Sequence, residues 1–156
     1  MTLDPDAFRA VLGRFASGVT VVTTHENERD HRMTVSAFSS VSLDPPLVMV
    51  CIGDDPSLRP VVERAEYFGV SILAAAQEAL SRRFAAHVNR FDGIGFTRGE
   101  HGAAMLDGAL AWLECRVAAR HQAGDHLIVV GEVESAGAAD ERPLLYYRGG
   151  YAQLER

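Results

Sequence analysis

Short apolar and β-branched segments, each ended by turn residues, account for most of this chain and outnumber its helical segments. Segments of this length and composition are typical of β-strands. Because they are sequential and punctuated by turns, they favour an antiparallel barrel with peripheral helices, in which closure of the sheet removes exposed edges. At 156 residues the chain is expected to form one domain, residues 1–156. The predicted strands are 19–26, 47–53, 68–73, 109–124, 125–139 and one or two short strands within 143–156.

Three segments have helical spacing. In the first, Asp4 is a plausible N-cap, Pro5 occupies the first helical position, apolar residues recur at i, i+3, i+4 and i+7, and Gly18 is expected to end the helix. We expect this amphipathic helix to lie on the core. The other two helices are predicted within 54–67, with its start at Asp55 to Ser57, and within 76–88. The Gly-rich segment 89–108 is predicted to be irregular, and 93–99 is expected to be a loop.

The stretch MTVSAFSSVSLDPPL, residues 33–47, is unusual for a strand. It has no charged side chain from Met33 to Leu43 and is rich in hydroxyls. If it forms one strand, small polar groups and one Phe line one face, where charged side chains would be ordinary. This face is expected to contact either another subunit or a ligand.

Composition excludes several functions. The formal net charge is −6, which argues against a nucleic-acid partner. The sequence contains 15 arginines and no lysine, so Schiff-base chemistry on a lysine is excluded. Cys51 and Cys115 are far apart in predicted strands, and free thiols are favoured over a disulfide or redox pair. No signal peptide or apolar run of membrane-spanning length is present, so we expect a soluble, cytoplasmic protein without a membrane partner.

Familiar catalytic motifs are missing. The sequence has no nucleophile elbow, P-loop, zincin motif or C-x-x-C pair. His121 and His126 are separated by a turn at Gly124 and lack a carboxylate at ligand spacing, so no metal site is expected.

Other residues suit an anionic, aromatic ligand. Ser57 stands at the start of a predicted helix, where backbone N–H groups favour a phosphate, although a plain N-cap remains open. The rings and guanidinium groups near one another in the sequence would suit a stacked heterocycle with a phosphate, but they could also be core residues. They are Arg83, Phe84, Arg90 and Phe91. Tyr146, Tyr147 and Tyr151 are likewise either ligand contacts or core residues of the barrel. His126 is either a hydrogen-bonded residue at the rim of the barrel or part of a site. From the residues alone, we expect a soluble β-barrel, and binding of a phosphorylated aromatic ligand is a hypothesis.

Five segments in order resemble the flavin reductase-like, FMN-binding split-barrel family, and more narrowly the NAD(P)H:flavin oxidoreductases of two-component monooxygenases. They are FRAVLGRFASGVTVVTT, MTVSAFSSVSLDPPLVMVCIG, FGVSIL, AGDHLIVVGEVES and PLLYYRGGYAQL, and they span about Phe8 to Leu154. The resemblance implies a mostly β, Greek-key antiparallel split barrel with peripheral helices. It also implies a homodimer with flavin in a groove near the dimer interface. In its long hairpin, 109–139, the chain offers a broad face for self-association.

The resemblance also implies roles for individual residues. Thr34, Val35, Ser36 and Ala37 would lie along the isoalloxazine edge, with Ser40 and Ser42 bracing that wall or reaching the ribityl chain. Cys51 and Ile52 would come from the adjacent strand, Ser57 would hold the phosphate, and Phe84, Arg90 and Phe91 would form a second flavin-contacting segment. His126 would contact the nicotinamide, with Tyr147 and Tyr151 near the same pocket. Many relatives have Gly where this chain has Arg32, whose side chain is expected to contact a second phosphate or to point to solvent.

The implied reaction is hydride transfer from NADH or NADPH to FMN or FAD, followed by delivery of reduced flavin to a partner monooxygenase. It requires stacked rings rather than a catalytic triad or metal, which suits the missing motifs. Backbone N–H groups and hydroxyls beside the flavin would stabilise negative charge that develops on reduction. The alternatives are a non-catalytic flavin- or haem-binding protein or flavinated electron carrier on the same barrel, and a pyridoxamine-phosphate-oxidase-like enzyme.

Overall fold

The computed structural model describes residues 2–86 and 93–155. They form twelve strands and three α-helices, with a 3-10 turn at Ala75–Gln77. The helices are α1 Pro5–Leu12, α2 Arg59–Val62 and α3 Glu78–Ala85. The strands are β1 Ser17–Gly18, β2 Thr20–Glu26, β3 Arg29–Val35, β4 Phe38–Ser42, β5 Leu47–Ile52, β6 Tyr67–Ile72, β7 Phe96–Arg98, β8 Ala104–Leu106, β9 Ala111–Ala123, β10 His126–Ala138, β11 Leu144–Tyr147 and β12 Gly150–Gln153. The predicted mostly β, antiparallel architecture with peripheral helices is confirmed.

Seven antiparallel strands form the main sheet, in the order β3-β2-β6-β9-β10-β5-β4. Its two edge strands, β3 and β4, are consecutive in the chain, and β3 also contacts β5. The sheet therefore curls until its edges approach each other at Ser36 and Ala37, which belong to neither strand. This gap between β3 and β4 is the split of the barrel. The alternating residues from Met33 to Leu43 therefore do not form one strand, because β3 pairs with β2 and β4 pairs with β5 on the other side of the gap.

Two smaller sheets complete the fold. Strands β1, β11 and β12 form one, and β7 with β8 forms the other. The expectation that 89–108 is irregular is thus wrong for β7 and β8. The connection between β7 and β8 is held by the buried carboxylate of Glu114 on β9, which accepts hydrogen bonds from the N–H groups of His101 and Ala103. A side chain at Gly99 would collide with that carboxylate, so this glycine permits close packing of the ribbon rather than disorder.

The core consists of two clusters. The first, inside the main sheet, is built on Val50, Ile52 and Phe68, with Leu58 and Val62 from the segment around α2. The second packs Val21, Leu73, Phe84, Leu106 and Leu144 between the main sheet, α3 and the small sheets.

The helices differ from their predictions, and α1 ends at Leu12 rather than at Gly18. Asp4 caps α1 as predicted, since its carboxylate accepts a hydrogen bond from the Ala7 N–H, but α1 has no buried residue. Its apolar face therefore does not lie on this chain's core, and nearby Phe15 is 80% exposed. Helix α2 is shorter than predicted and begins at Arg59, after a turn organised by Asp55. Among the described helices, none has the length and apolar character needed to cross a membrane.

Candidate functional site

The split is the centre of the candidate site. Ser36 and Ala37 are exposed there, whereas the preceding Val35 is buried in the core. The carbonyl of Ala37 accepts a hydrogen bond from the N–H of Cys51 at 3.0 Å, which attaches the split to strand β5. Within the described residues, the N–H groups of Ser36 and Ala37 make no hydrogen bond. Exposed, unpaired donors are available to a ligand.

A hydrogen-bond chain supports one side of this wall. The Thr34 hydroxyl donates to the Ser81 carbonyl at 2.8 Å, and the Ser81 hydroxyl lies 2.7 Å from the Tyr151 hydroxyl. The Arg82 guanidinium lies 4.7 Å from the centre of the Tyr151 ring. Helix α3 and strand β12 therefore hold β3 in place just before the split. Since its hydroxyl is engaged, Thr34 fits a positioning role better than a direct hydrogen bond to a ligand.

His126 lies at the other side of the split, at the first position of β10. Its Nδ1 is 2.7 Å from Oδ1 of Asp125, and its Nε2 would be 3.3 Å from a Cβ built at Gly53. The hydrogen bond from His126, followed by its charge, lowers the pKa of the exposed Asp125 carboxyl. An ionised Asp125 accepts from Nδ1–H and thereby fixes the ring orientation, leaving Nε2 on the Gly53 side.

Strand β5 connects His126 to the split. Gly53 stands two residues beyond Cys51, a separation of about 7 Å in an extended chain. Burial raises the pKa of the half-buried Cys51 thiol, so it remains protonated and serves as a neutral part of the wall. Burial, with a contribution from the Glu114 charge, raises the pKa of Cys115 to about 12. Both thiols are free, as predicted.

The start of α2 does not offer an empty phosphate site. The Asp55 carboxylate accepts from the Ser57 N–H at 2.8 Å, the Ser57 hydroxyl at 2.6 Å and the Leu58 N–H at 2.9 Å. A carboxylate therefore already occupies the donors that we expected a phosphate to use. Asp55 and not Ser57 therefore organises the turn, and a phosphate-binding role for Ser57 stays a prediction from the family resemblance.

Some other predicted site residues are parts of the core. The side chains of Val35, Ile52 and Phe84 are buried, so Val35 and Ile52 can reach a ligand through their backbone alone. The Arg32 guanidinium covers the Phe84 ring at 5.2 Å and also donates to the Asp30 carbonyl at 3.2 Å. Arg32 is only 4% exposed, so the expectation that it points to solvent is wrong.

The remaining predicted residues are in separate places. Ser40 is exposed and Ser42 half-buried on edge strand β4, and Tyr147 is exposed at the end of β11. Arg90 and Phe91 lie outside the described residues. Sequence reasoning missed Ser81, Asp125 and Arg59; only Asp125, adjacent to His126, carried a usable signal.

Known proteins provide an independent comparison. The family described as Flavin reductase like domain matches residues 12–155. An NADH-dependent flavin reductase of a Rhodococcus species is 44% identical, with coverage of 98% of this chain and 90% of that protein. The reductase component of the 4-hydroxyphenylacetate 3-monooxygenase of Thermus thermophilus is 44% identical, with 96% of each chain covered. The structure of a Streptomyces globisporus NADH:FAD oxidoreductase in complex with NAD and FAD fragments has a TM-score of 0.91 at 38% identity, with coverage of 99% of this chain and 96% of that one.

These similar proteins define the class as flavin reductases, and the exposed, unpaired N–H groups at the split are consistent with that class. The chain belongs to the flavin reductase-like family, and the resemblance identified from its sequence is confirmed. The residues at the split fit a flavin on structural grounds. Two unpaired N–H groups suit the polar edge of the ring, and Ala37, Cys51 and Gly53 keep that wall small and uncharged.

Proposed function

We propose that this chain takes hydride from NADH at the split of its barrel and delivers reduced flavin to a separate monooxygenase. The chain is an NADH-dependent flavin reductase, as a relative 44% identical to it is named, and another relative is named as the reductase component of a monooxygenase. When bound, the flavin accepts the hydride and carries the electrons away. The observation that supports this site best is the pair of unpaired N–H groups at Ser36 and Ala37, near the His126 ring over Gly53.

The residues of the groove act by binding and orientation. The N–H groups of Ser36 and Ala37 donate to the pyrimidine edge of the flavin, where negative charge develops on reduction. Thr34, Ser81 and Tyr151 hold that wall, and the neutral thiol of Cys51 lines it. His126, oriented by Asp125, positions the nicotinamide against the flavin. Roles for Ser40, Ser42, Tyr147, Arg90 and Phe91 stay predictions from the family resemblance, as do the single domain over 1–156 and the cytoplasmic location.

A second copy of the chain completes the assembly that we propose. On the outside of the main sheet, Met49, Ile128 and Val130 are half-buried and alternate with buried core residues. Val130 pairs with Met49, and Ile128 pairs with Cys51 on the wall of the groove. We call Met49, Ile128 and Val130 the outer face. An apolar face of this kind on a hairpin beside the groove suits self-association.

The oligomer is tested by measuring mass in solution by light scattering. We expect a dimer for the native chain and a monomer for Ile128→Glu. Ala136→Glu, at an exposed position further along β10, is the control and should stay dimeric. A monomeric native chain would contradict the homodimer.

The reaction is tested by following NADH and NADPH consumption with FMN, FAD and riboflavin in a crossed steady-state assay. We expect oxidation of NADH in the presence of added flavin, and transfer of the reduced flavin to a monooxygenase. No loss of NADH absorbance with FMN or FAD would defeat the proposal. A protein that purifies yellow but turns over free flavin poorly would instead be an electron carrier.

A further inference from the structure

Arg59 lies at a junction between the two chain segments that form the nicotinamide side of the groove. Its Nε is 2.8 Å from Oε1 of Glu63, its Nη2 donates to Oε1 of Gln122 at 2.8 Å, and its Nη1 lies 3.5 Å from the Ile52 carbonyl. The Arg59 side chain is only 13% exposed. One guanidinium thus connects the start of α2, the end of β5 and the end of β9.

From Gln122 the connection continues into the turn that precedes His126. The Gln122 amide nitrogen donates to the Gly124 carbonyl at 2.9 Å. Gly124 has a positive φ of 61°, which sets the direction of the turn. Asp125 and His126 follow immediately, joined to each other at 2.7 Å. The path from Arg59 to the His126 ring therefore passes through polar contacts of ordinary hydrogen-bond length.

Apolar packing does not fix the outer side of this turn. A cavity of about 310 Å³ is lined there by Asp54, Arg59, Glu63, Gln122 and Asp125. Every lining side chain is polar, so beyond the main-chain pairing of Leu127 with Ile52 the outer side of the turn is held by side-chain hydrogen bonds, and the Arg59–Gln122 contact spans the two segments. Hydrogen bonds of a charged donor are among the stronger and more directional ones.

We propose that Arg59 and Gln122 are positioning residues for His126, and that they hold the β9–β10 turn so that the imidazole stays over Gly53. This inference rests on the proposed function, because it concerns how the nicotinamide is oriented. Neither residue touches the split at Ser36 and Ala37, so their effect falls on use of NADH and not on binding of flavin.

The test compares Arg59→Met and Gln122→Leu with the native chain. Both substitutions leave an apolar side chain at the position while removing the bridge, and we expect each to raise the KM for NADH about tenfold. The KM for flavin should stay within about twofold, and the double variant should be no worse than Arg59→Met alone, as residues of one network are not additive.

The matched control is Arg64→Met. Arg64 leaves the same segment, but it pairs with Glu26 at 2.6 Å and donates to the Pro60 carbonyl at 2.7 Å, with no link to the turn. The KM of the Arg64→Met variant for NADH should equal that of the native chain.

An unchanged KM for NADH in Gln122→Leu, or an equal rise in the KM for NADH and for flavin in both variants, would overturn the proposal. The same loss in Arg64→Met would also overturn it, since the effect would then be general destabilisation. Gln122→Leu keeps the test decisive if Arg59→Met does not fold. Failure of the native chain to oxidise NADH would refute the proposed function instead, and the two failures are therefore distinct.

Discussion

Tyr151→Phe tests whether the C-terminal strand supports the wall of the groove. This substitution removes the hydroxyl that lies 2.7 Å from the Ser81 hydroxyl but keeps the ring under Arg82. Ser81 is fully buried, so its hydroxyl loses its side-chain partner without access to water. Leaving a buried polar group unsatisfied costs about 1–3 kcal/mol. We expect Tyr151→Phe to lower the free energy of unfolding by about 2 kcal/mol, equivalent to about 4–8 °C in Tm for a chain of this size.

Ser81→Ala should cost less, about 1 kcal/mol, because the partly exposed Tyr151 hydroxyl can bond to water instead. In the double variant neither hydroxyl remains to be left unsatisfied. Its cost should be no greater than that of Tyr151→Phe alone, which gives a coupling energy of about 1–2 kcal/mol.

The assay is urea unfolding followed by the fluorescence of the single tryptophan, Trp112, together with the KM for flavin. The KM for flavin should rise in Tyr151→Phe, because the Ser81 carbonyl positions Thr34 beside the split. Tyr147→Phe is the control; this exposed ring on the adjacent strand should change stability by less than about 0.5 kcal/mol. The reasoning would be refuted if the loss of unfolding free energy in the double variant were the sum of the two single losses. It would also be refuted if Tyr147→Phe lost as much unfolding free energy as Tyr151→Phe.

Three further outcomes are expected. Gly131→Ala places a Cβ 2.5 Å from Cζ of Phe68 in the core, so it should destabilise the fold by about 1–3 kcal/mol in urea unfolding, and a native midpoint would contradict this packing. His126→Ala should raise the KM for NADH much more than the KM for flavin in steady-state kinetics, whereas an equal loss of both would contradict its role. Burial opposes the ionisation of Asp30, but hydrogen bonds from Arg98 and His25 prevail and lower its pKa. The stability that Asp30 contributes is therefore present above the unfolded pKa, about 3.9, and is lost as the pH falls through the lower folded value. In urea unfolding across pH, Asp30→Asn should be less stable than the native chain near neutrality and approach it in acid; a constant difference would be inconsistent with this pKa.

Regular elements were predictable because local chemistry determines them. The β-branched run of β2 and the apolar run of β5 have strong local strand preferences, and the Asp4–Pro5 pair favours the start of a helix. The location of His126 beside Gly53 was not readable from the sequence, but the turn at Gly124 and Asp125 before it was, and its role as a site residue stays a prediction from the resemblance.

The errors fall where tertiary contacts decide. Alternation of small residues continues through Ser36 and Ala37, so the sequence carries no sign that the strands on each side pair with opposite edges of the sheet. At α2, Asp55 and Ser57 are both good capping residues, and the buried position of Asp55 decides which of them accepts the hydrogen bonds. The apolar stripe of α1 predicts burial but not against which chain.

The most direct test of the flavin groove is titration of FMN into the isotope-labelled protein, observed through backbone amide resonances. The account predicts that the Ser36 and Ala37 amide signals shift most and become protected from hydrogen exchange. Cys51 and Gly53 should follow, and the exposed turn at Asn27–Glu28 should stay unchanged. Saturable binding of FMN that leaves Ser36 and Ala37 unperturbed would contradict the assignment of the flavin site to the split of the barrel.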